Sequence, residues 1–82
     1  MTHTYNGWKN RQTWNVALWI GNEASLYRAA VRFMTGYKGR APYRAFVESA
    51  CLAGASTPDG IKWDGTTLDY RALNGMMRDL IV

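Results

Sequence analysis

The chain predicts a compact, mainly α single domain, a bundle of about four short helices with room for one short two-stranded β-ribbon. Three observations lead there. Apolar residues recur at helical spacing in four separate stretches, and Gly-, Pro- and Asn-containing turn dipeptides fall between them. Three of the four tryptophans crowd between Trp8 and Trp19, and 13% of all residues are aromatic. That share matters because each buried aromatic covers roughly 150–250 Å², and a chain of 82 residues lies near the lower end of what folds without staples.

Residues 1–9 form a lead-in in which Asn6-Gly7 predicts a turn that folds Tyr5 and Trp8 back toward the core. A first helix over 11–20 follows, with Asn10 as its cap and Gly21-Asn22 as its stop. Trp14, Ala17, Leu18 and Gly21 lie at i, i+3, i+4 and i+7, while Val16, Trp19 and Ile20 make a second apolar face. Such a helix is expected to be buried nearly all round and to act as the strut of the core. At this length it is too short to span a bilayer.

A second helix spans 23–36, capped by Asn22, with Leu26, Ala29, Ala30, Phe33 and Tyr37 at helical spacing. A third spans 42–53, with Pro42 at its first position and Tyr43, Phe46, Val47, Ala50 and Ala53 inward. Gly54 should stop it, and Cys51 is expected to be a small core residue. Residues 54–66 read as a loop, with Pro58-Asp59-Gly60 as a tight turn. Ile61-Lys62-Trp63 has strand composition, and residues 4–8 are its candidate partner in a ribbon. The last helix spans 67–81, capped by Thr66 or Thr67, with Leu73, Met76, Met77 and Leu80 as its stripe. Gly75 inside it either weakens the helix there or marks a close backbone neighbour. The expected centre is Trp14, Leu18, Trp19, Phe33, Phe46, Val47, Leu73 and Met77.

Residue inventory argues against an enzyme. His3 is the single histidine and Cys51 the single cysteine, too few for a zinc site or for a Ser-His-Asp or Cys-His arrangement. Asp59, Asp64 and Asp69 recur every five residues, but each sits at a turn or in a helix's first turn, so backbone roles are expected. No phosphate-binding glycine loop is present, and no cofactor is implied. One cysteine, no apolar run of membrane length and no secretory leader pattern predict a reducing, cytoplasmic setting without a membrane partner.

Charge is the remaining signal. The net charge is +4. Residues 1–44 carry Lys9, Arg11, Arg28, Arg32, Lys38, Arg40 and Arg44 against Glu23. Residues 45–82 carry Lys62, Arg71 and Arg78 against Glu48, Asp59, Asp64, Asp69 and Asp79, so the halves are +6 and −2. The asymmetry points to a basic face for an acidic partner, with Arg28, Arg32, Lys38, Arg40 and Arg44 as its residues. The competing reading is a solvated helix surface. Trp8 and Trp63, each beside a turn and a lysine, are candidate surface aromatics that could stack on a partner or on unpaired bases.

The residues Tyr5-Asn6-Gly7-Trp8, Asn10, Thr13-Trp14-Asn15-Val16 and Leu18-Trp19, continued by Asn22-Glu23 and Leu26-Tyr27, resemble an opening found in a group of small proteins of unknown function. These are carried by phages, plasmids and integrated elements. The match covers residues 5–27 and is looser at Thr57-Pro58-Asp59-Gly60 and Leu68-Asp69. The resemblance implies a mobile-element accessory protein, a type that often acts against host defences such as restriction or CRISPR systems. It carries over no catalytic residue. The expected function is therefore a non-enzymatic inhibitor that occupies a functional surface of a host protein or ribonucleoprotein defence complex. The second reading is a small basic nucleic-acid-binding regulator.

Overall fold

The computed structural model describes residues 5–81. Four helices form a mainly α bundle: α1 (Arg11–Asn22), α2 (Ala24–Gly36), α3 (Pro42–Ser49) and α4 (Tyr70–Asp79). Helices α2 and α4 each pack against the other three, whereas α1 packs on α2 and α4, and α3 on α2 and α4. The core therefore lies around the α2–α4 contact. Its buried members are Val16, Ala17, Ile20, Ala30, Met34, Tyr43, Phe46, Val47, Trp63, Leu68, Leu73 and Met77.

The buried face of α1 differs from the expected one. Thr13, Val16, Ala17 and Ile20 turn inward, with Asn15 beside them, and Trp14 and Leu18 are only half-buried. Both Trp14 and Leu18 lie outside the core cluster, and Trp19 and Phe33 pack on its margin. The reason is polar. The Asn10 side chain accepts from the Thr13 amide at 2.9 Å and from its hydroxyl at 2.6 Å. Thr13 Oγ1 in turn accepts from the Asp69 amide at 2.9 Å, while Asn10 Nδ2 donates to the Thr67 carbonyl at 2.7 Å. Two helix N-termini are thereby joined, and a threonine that satisfies both is buried without an unpaired group. Trp14 rotates outward, where Tyr5 covers it with ring centroids 4.6 Å apart.

The Tyr5–Trp8 turn forms as expected. Tyr5 and Trp8 exchange both backbone hydrogen bonds, at 2.7 and 2.8 Å, across Asn6 (φ 50°) and Gly7 (φ 89°). Positive φ at both central positions is the hairpin turn that Asn-Gly favours. The ribbon between this segment and residues 61–63 does not form over the described residues; residue 4 lies outside them. Tyr5 pairs with Trp8, and Ser56 with Lys62. Residues 55–63 fold back on themselves instead, held by Thr57 N–H to Ile61 O at 2.7 Å and Trp63 N–H to Ala55 O at 3.1 Å.

Caps and ends also depart from expectation. Helix α1 runs through Gly21 to Asn22, and Glu23 rather than Asn22 caps α2, accepting from the Leu26 amide at 2.9 Å. Asp69, not a threonine, caps α4 through the Ala72 amide at 3.1 Å. The α3 N-terminus follows Ala41, which offers no side-chain cap. Asn74 of α4 supplies one across the bundle, accepting from the Tyr43 amide at 3.0 Å. Gly75, one residue on, has open space where a Cβ would sit, so no backbone crosses there.

Helix α3 stops at Ser49, short of Gly54. Leu52 N–H bonds Val47 O at 2.8 Å and Cys51 N–H bonds Glu48 O at 3.2 Å, with Cys51 left-handed at φ 59°. This is the hydrogen-bond pattern of a glycine-type helix stop with cysteine in the glycine's place. Cys51 and Ala53 are consequently exposed, not core. Cys51→Gly relieves the left-handed strain and should stabilise the domain by up to about 1 kcal/mol, less whatever glycine adds to the unfolded chain's entropy. A urea titration that finds the variant less stable than the parent would contradict this geometry.

Candidate functional site

The expected basic residues are all exposed, but Arg44 lies against a cavity that does not include the others. Arg28 and Arg32 are exposed on α2, opposite the face on which Ala30 and Met34 are buried. Lys38 and Arg40 are exposed in the α2–α3 turn. A further cation joins them that periodicity does not single out: Arg78, at the end of α4, donates from Nη2 to the Arg40 carbonyl at 3.3 Å. Its only trace in the sequence is a basic residue in a helix's last turn, where the helix dipole alone would account for it. The turn itself is fixed by Tyr37, whose hydroxyl accepts from the Ala41 amide at 3.1 Å. This pins the chain between Lys38 and Arg40, and the bend is set by the core side of the helix rather than by the cations.

Arg44 belongs elsewhere. Its guanidinium carbon lies 5.0 Å from the centroid of the Tyr70 ring, within cation–π range. Together with Tyr43, Val47, Glu48, Ala53, Trp63, Asp64 and Tyr70 it lines a surface cavity of about 230 Å³. Spacing alone places it with Arg40 because the two flank one turn. Packing of α3 on α4 directs it toward Tyr70 instead.

The aromatic candidates are corrected. Trp63 is only 3% exposed and belongs to the core, so it offers no open stacking surface. Its carbonyl accepts from the Tyr43 hydroxyl at 2.6 Å. That phenol has its pKa raised, first by burial and then by Tyr70 and Asp64, and stays protonated as the bond's donor. Trp8 is half-buried and packs against the core.

The aspartates carry structural roles, one within its own helix turn, one across a loop and one long-range. Asp64 accepts from the Gly54 amide at 3.1 Å and Asp69 caps α4. Asp59 reaches across the molecule instead. One of its oxygens accepts from Asn15 Nδ2 at 2.8 Å and from Trp19 Nε1 at 3.0 Å. Thr57 donates to Asn15 Oδ1 at 2.7 Å, which completes a latch between the 55–63 loop and α1. The Asn15 and Trp19 hydrogen bonds lower the Asp59 pKa, with a smaller contribution from the Arg11 charge. Sequence reasoning places Asp59 in its own turn, and that turn does form, with Gly60 N–H bonding Thr57 O at 2.8 Å. The partner side chains lie about forty residues away, which no local pattern reveals.

Among the described residues no group of three or more His, Cys, Asp and Glu side chains is placed to hold a metal ion; His3 lies outside them. Among the same residues no helix is long and apolar enough to cross a membrane.

Fold and surface together define a small helical domain with exposed cations on α2 and the α2–α3 turn and a small aromatic-floored cavity. The chain belongs to a family of unknown function (DUF7249), matched over residues 1–82. Comparison with curated proteins and with solved structures finds no match.

Proposed function

We propose that this chain is a non-enzymatic binding protein of a phage or other mobile element. In this reading it acts in the bacterial cytoplasm as an inhibitor of a host defence complex, of the anti-restriction or anti-CRISPR type, and covers a functional surface of its target. The single observation behind the basic-face mechanism is the placement of Arg28 and Arg32, exposed one turn apart on α2. Like charges at that spacing cost a few tenths of a kcal/mol, and the core draws nothing from them. A partner's carboxylates or phosphates would turn this cost into bidentate contacts. Lys38, Arg40 and Arg78, exposed at the α2–α3 turn and the end of α4, are the cations that would extend the face. The mobile-element setting rests on the resemblance of residues 5–27.

The second reading, a nucleic-acid-binding regulator, uses the same cations on phosphates and is favoured by the net charge of +4. Capture of partners from host lysate, with and without nuclease, separates the two. Arg28→Glu combined with Arg32→Glu should abolish capture while the melting temperature holds. Each arginine–anion pair removed would cost about 2–5 kcal/mol if buried at the interface and much less at its rim. Capture that survives both substitutions rejects the basic face. Sub-micromolar, steeply salt-dependent binding to free DNA or RNA would favour the second reading, since non-specific binding lies at roughly 10⁻⁴–10⁻⁶ M.

A further inference from the structure

The cavity beside Tyr70 is separate from the basic face of α2 and is built differently. Its floor is apolar and aromatic: Tyr43, Val47 and Trp63 are buried beneath it, and Tyr70 forms a half-exposed wall. The two phenols have their hydroxyls turned into the protein, Tyr43 donating to Trp63 O at 2.6 Å and Tyr70 to Gly65 O at 2.8 Å. Polar recognition is thus left to the rim, where Arg44, Glu48 and Asp64 are all exposed. Arg44 and Glu48 stand one turn apart on α3, a donor fork next to an acceptor. Asp64 commits one carboxylate oxygen to the Gly54 amide at 3.1 Å and keeps acceptor capacity on the other.

This combination narrows the ligand. The volume of about 230 Å³ falls below the roughly 300–1,000 Å³ typical of pockets for drug-sized molecules, so a single ring system is the right scale. A partner's cationic side chain would meet carboxylates but also Arg44, and an anion would meet two carboxylates as well as Arg44. A neutral planar ring with both acceptor and donor edges uses both signs of the rim. Unpaired bases are held in this way, stacked on aromatic rings or arginine planes and read along their edges. The guanidinium stacked over Tyr70 extends the aromatic platform. Guanine matches the rim best: with the Arg44 plane given to stacking, its N1–H and 2-amino group donate side by side to a carboxylate, a pair of adjacent donors that the other common bases lack. Lys62 and Arg71, the exposed neighbours of Trp63 and Tyr70 in the chain, are available to phosphates.

We propose that this cavity binds one unpaired nucleobase, with guanine preferred, Tyr70 and Arg44 forming the stacking platform, and Glu48 the acceptor that reads the base. The site is independent of the α2 basic face.

The test is a titration of the ¹⁵N-labelled chain with the 5′-monophosphates of guanosine, adenosine, cytidine and uridine, followed by amide shifts. Ribose 5-phosphate and N-acetylarginine amide serve as controls. The expected result is saturable shifts at residues 43–48, 63–64 and 70, with guanosine monophosphate binding about tenfold or more tightly than uridine monophosphate. Glu48→Ala, at an exposed position in the last turn of α3, should lose about tenfold in guanosine monophosphate affinity with an unchanged melting temperature. Arg44→Gln provides a second variant with the same expectation. Arg28→Glu with Arg32→Glu should leave this binding intact, which keeps the proposal apart from the fate of the basic face. Equal response to all four nucleotides or to ribose 5-phosphate would overturn it. So would tighter binding of another base or of N-acetylarginine amide, or unaltered affinity in the Glu48 variant.

Discussion

Phe46→Ala should cost about 3–5 kcal/mol, the range for truncating a fully buried aromatic whose surroundings cannot collapse into the space. Phe46 is 1% exposed and meets the Phe33 ring edge-on at 5.7 Å, so the substitution opens a void where α2 faces α3. A domain of 82 residues has a total stability on the order of 4–12 kcal/mol, and the variant should be partly or wholly unfolded at room temperature. Trp14→Ala should do far less, on the order of 1 kcal/mol, although the side chain removed is larger. Trp14 is half-buried and lies outside the core, with the Tyr5 ring packed against it. Urea denaturation of the two variants side by side checks the order. A Trp14 variant less stable than the Phe46 variant would place the core on the other face of α1.

The second large effect concerns the latch at Asn15. Asn15 is 1% exposed, donates to Asp59 and accepts from Thr57. Asn15→Ala removes both bonds, leaves the buried Thr57 hydroxyl without its acceptor and opens a small void, at a cost of about 2–3 kcal/mol. The loop from residue 55 to 63 should then exchange its amide protons faster than the helices do. The pH response follows from the same bond. Asp59 has its folded-state pKa lowered below the ordinary 3.8, first by Asn15 and then by Trp19. A depressed carboxylate pKa contributes stability above the unfolded value, and that contribution is lost as pH falls through the folded value. The parent should therefore lose this share of its stability below about pH 4. The Asn15 variant should show a shallower acid limb, because the largest cause of the shift is gone. Equal acid limbs would mean that the Asn15–Asp59 hydrogen bond does not form in solution.

The uneven legibility of the chain follows from which forces are local. Helix α2 is readable in extent to within a residue, since Leu26, Ala30, Phe33 and Tyr37 supply one apolar stripe; of these only Ala30 is fully buried, and the buried Met34 lies outside the expected set. Ala29 departs from that stripe and is exposed. The apolar stripe of α4 is as clear through Leu73, Met76, Met77 and Leu80, with Leu73 and Met77 fully buried, although the helix spans Tyr70–Asp79 rather than 67–81. The Asn-Gly and Pro-Asp-Gly turns form because positive φ or a fixed φ is a property of the residues themselves. In α1 the local pattern misleads. Its residues are apolar on two sides, so hydrophobicity cannot choose between them. The decision falls to Thr13 and Asn15, whose polar groups find partners at residues 57, 59 and 69.

The same division governs the candidate sites. The exposure of Arg28 and Arg32 is legible from their phase on α2, whereas the diversion of Arg44 to Tyr70 requires the packing of α3 on α4. Trp63 has the look of a surface aromatic beside a lysine, yet the folded loop buries it under Tyr43. By itself the sequence determined four helices, the short turns and the side of α2 that faces solvent, because backbone preference and the periodicity of apolar residues act within a few residues. Only the tertiary structure decided which face of α1 is buried, where α3 stops, how Asn74 caps α3 and which charged groups rim the cavity. Those outcomes depend on hydrogen-bond partners and packing neighbours that are distant in the chain, and their energies exist only once the helices have met.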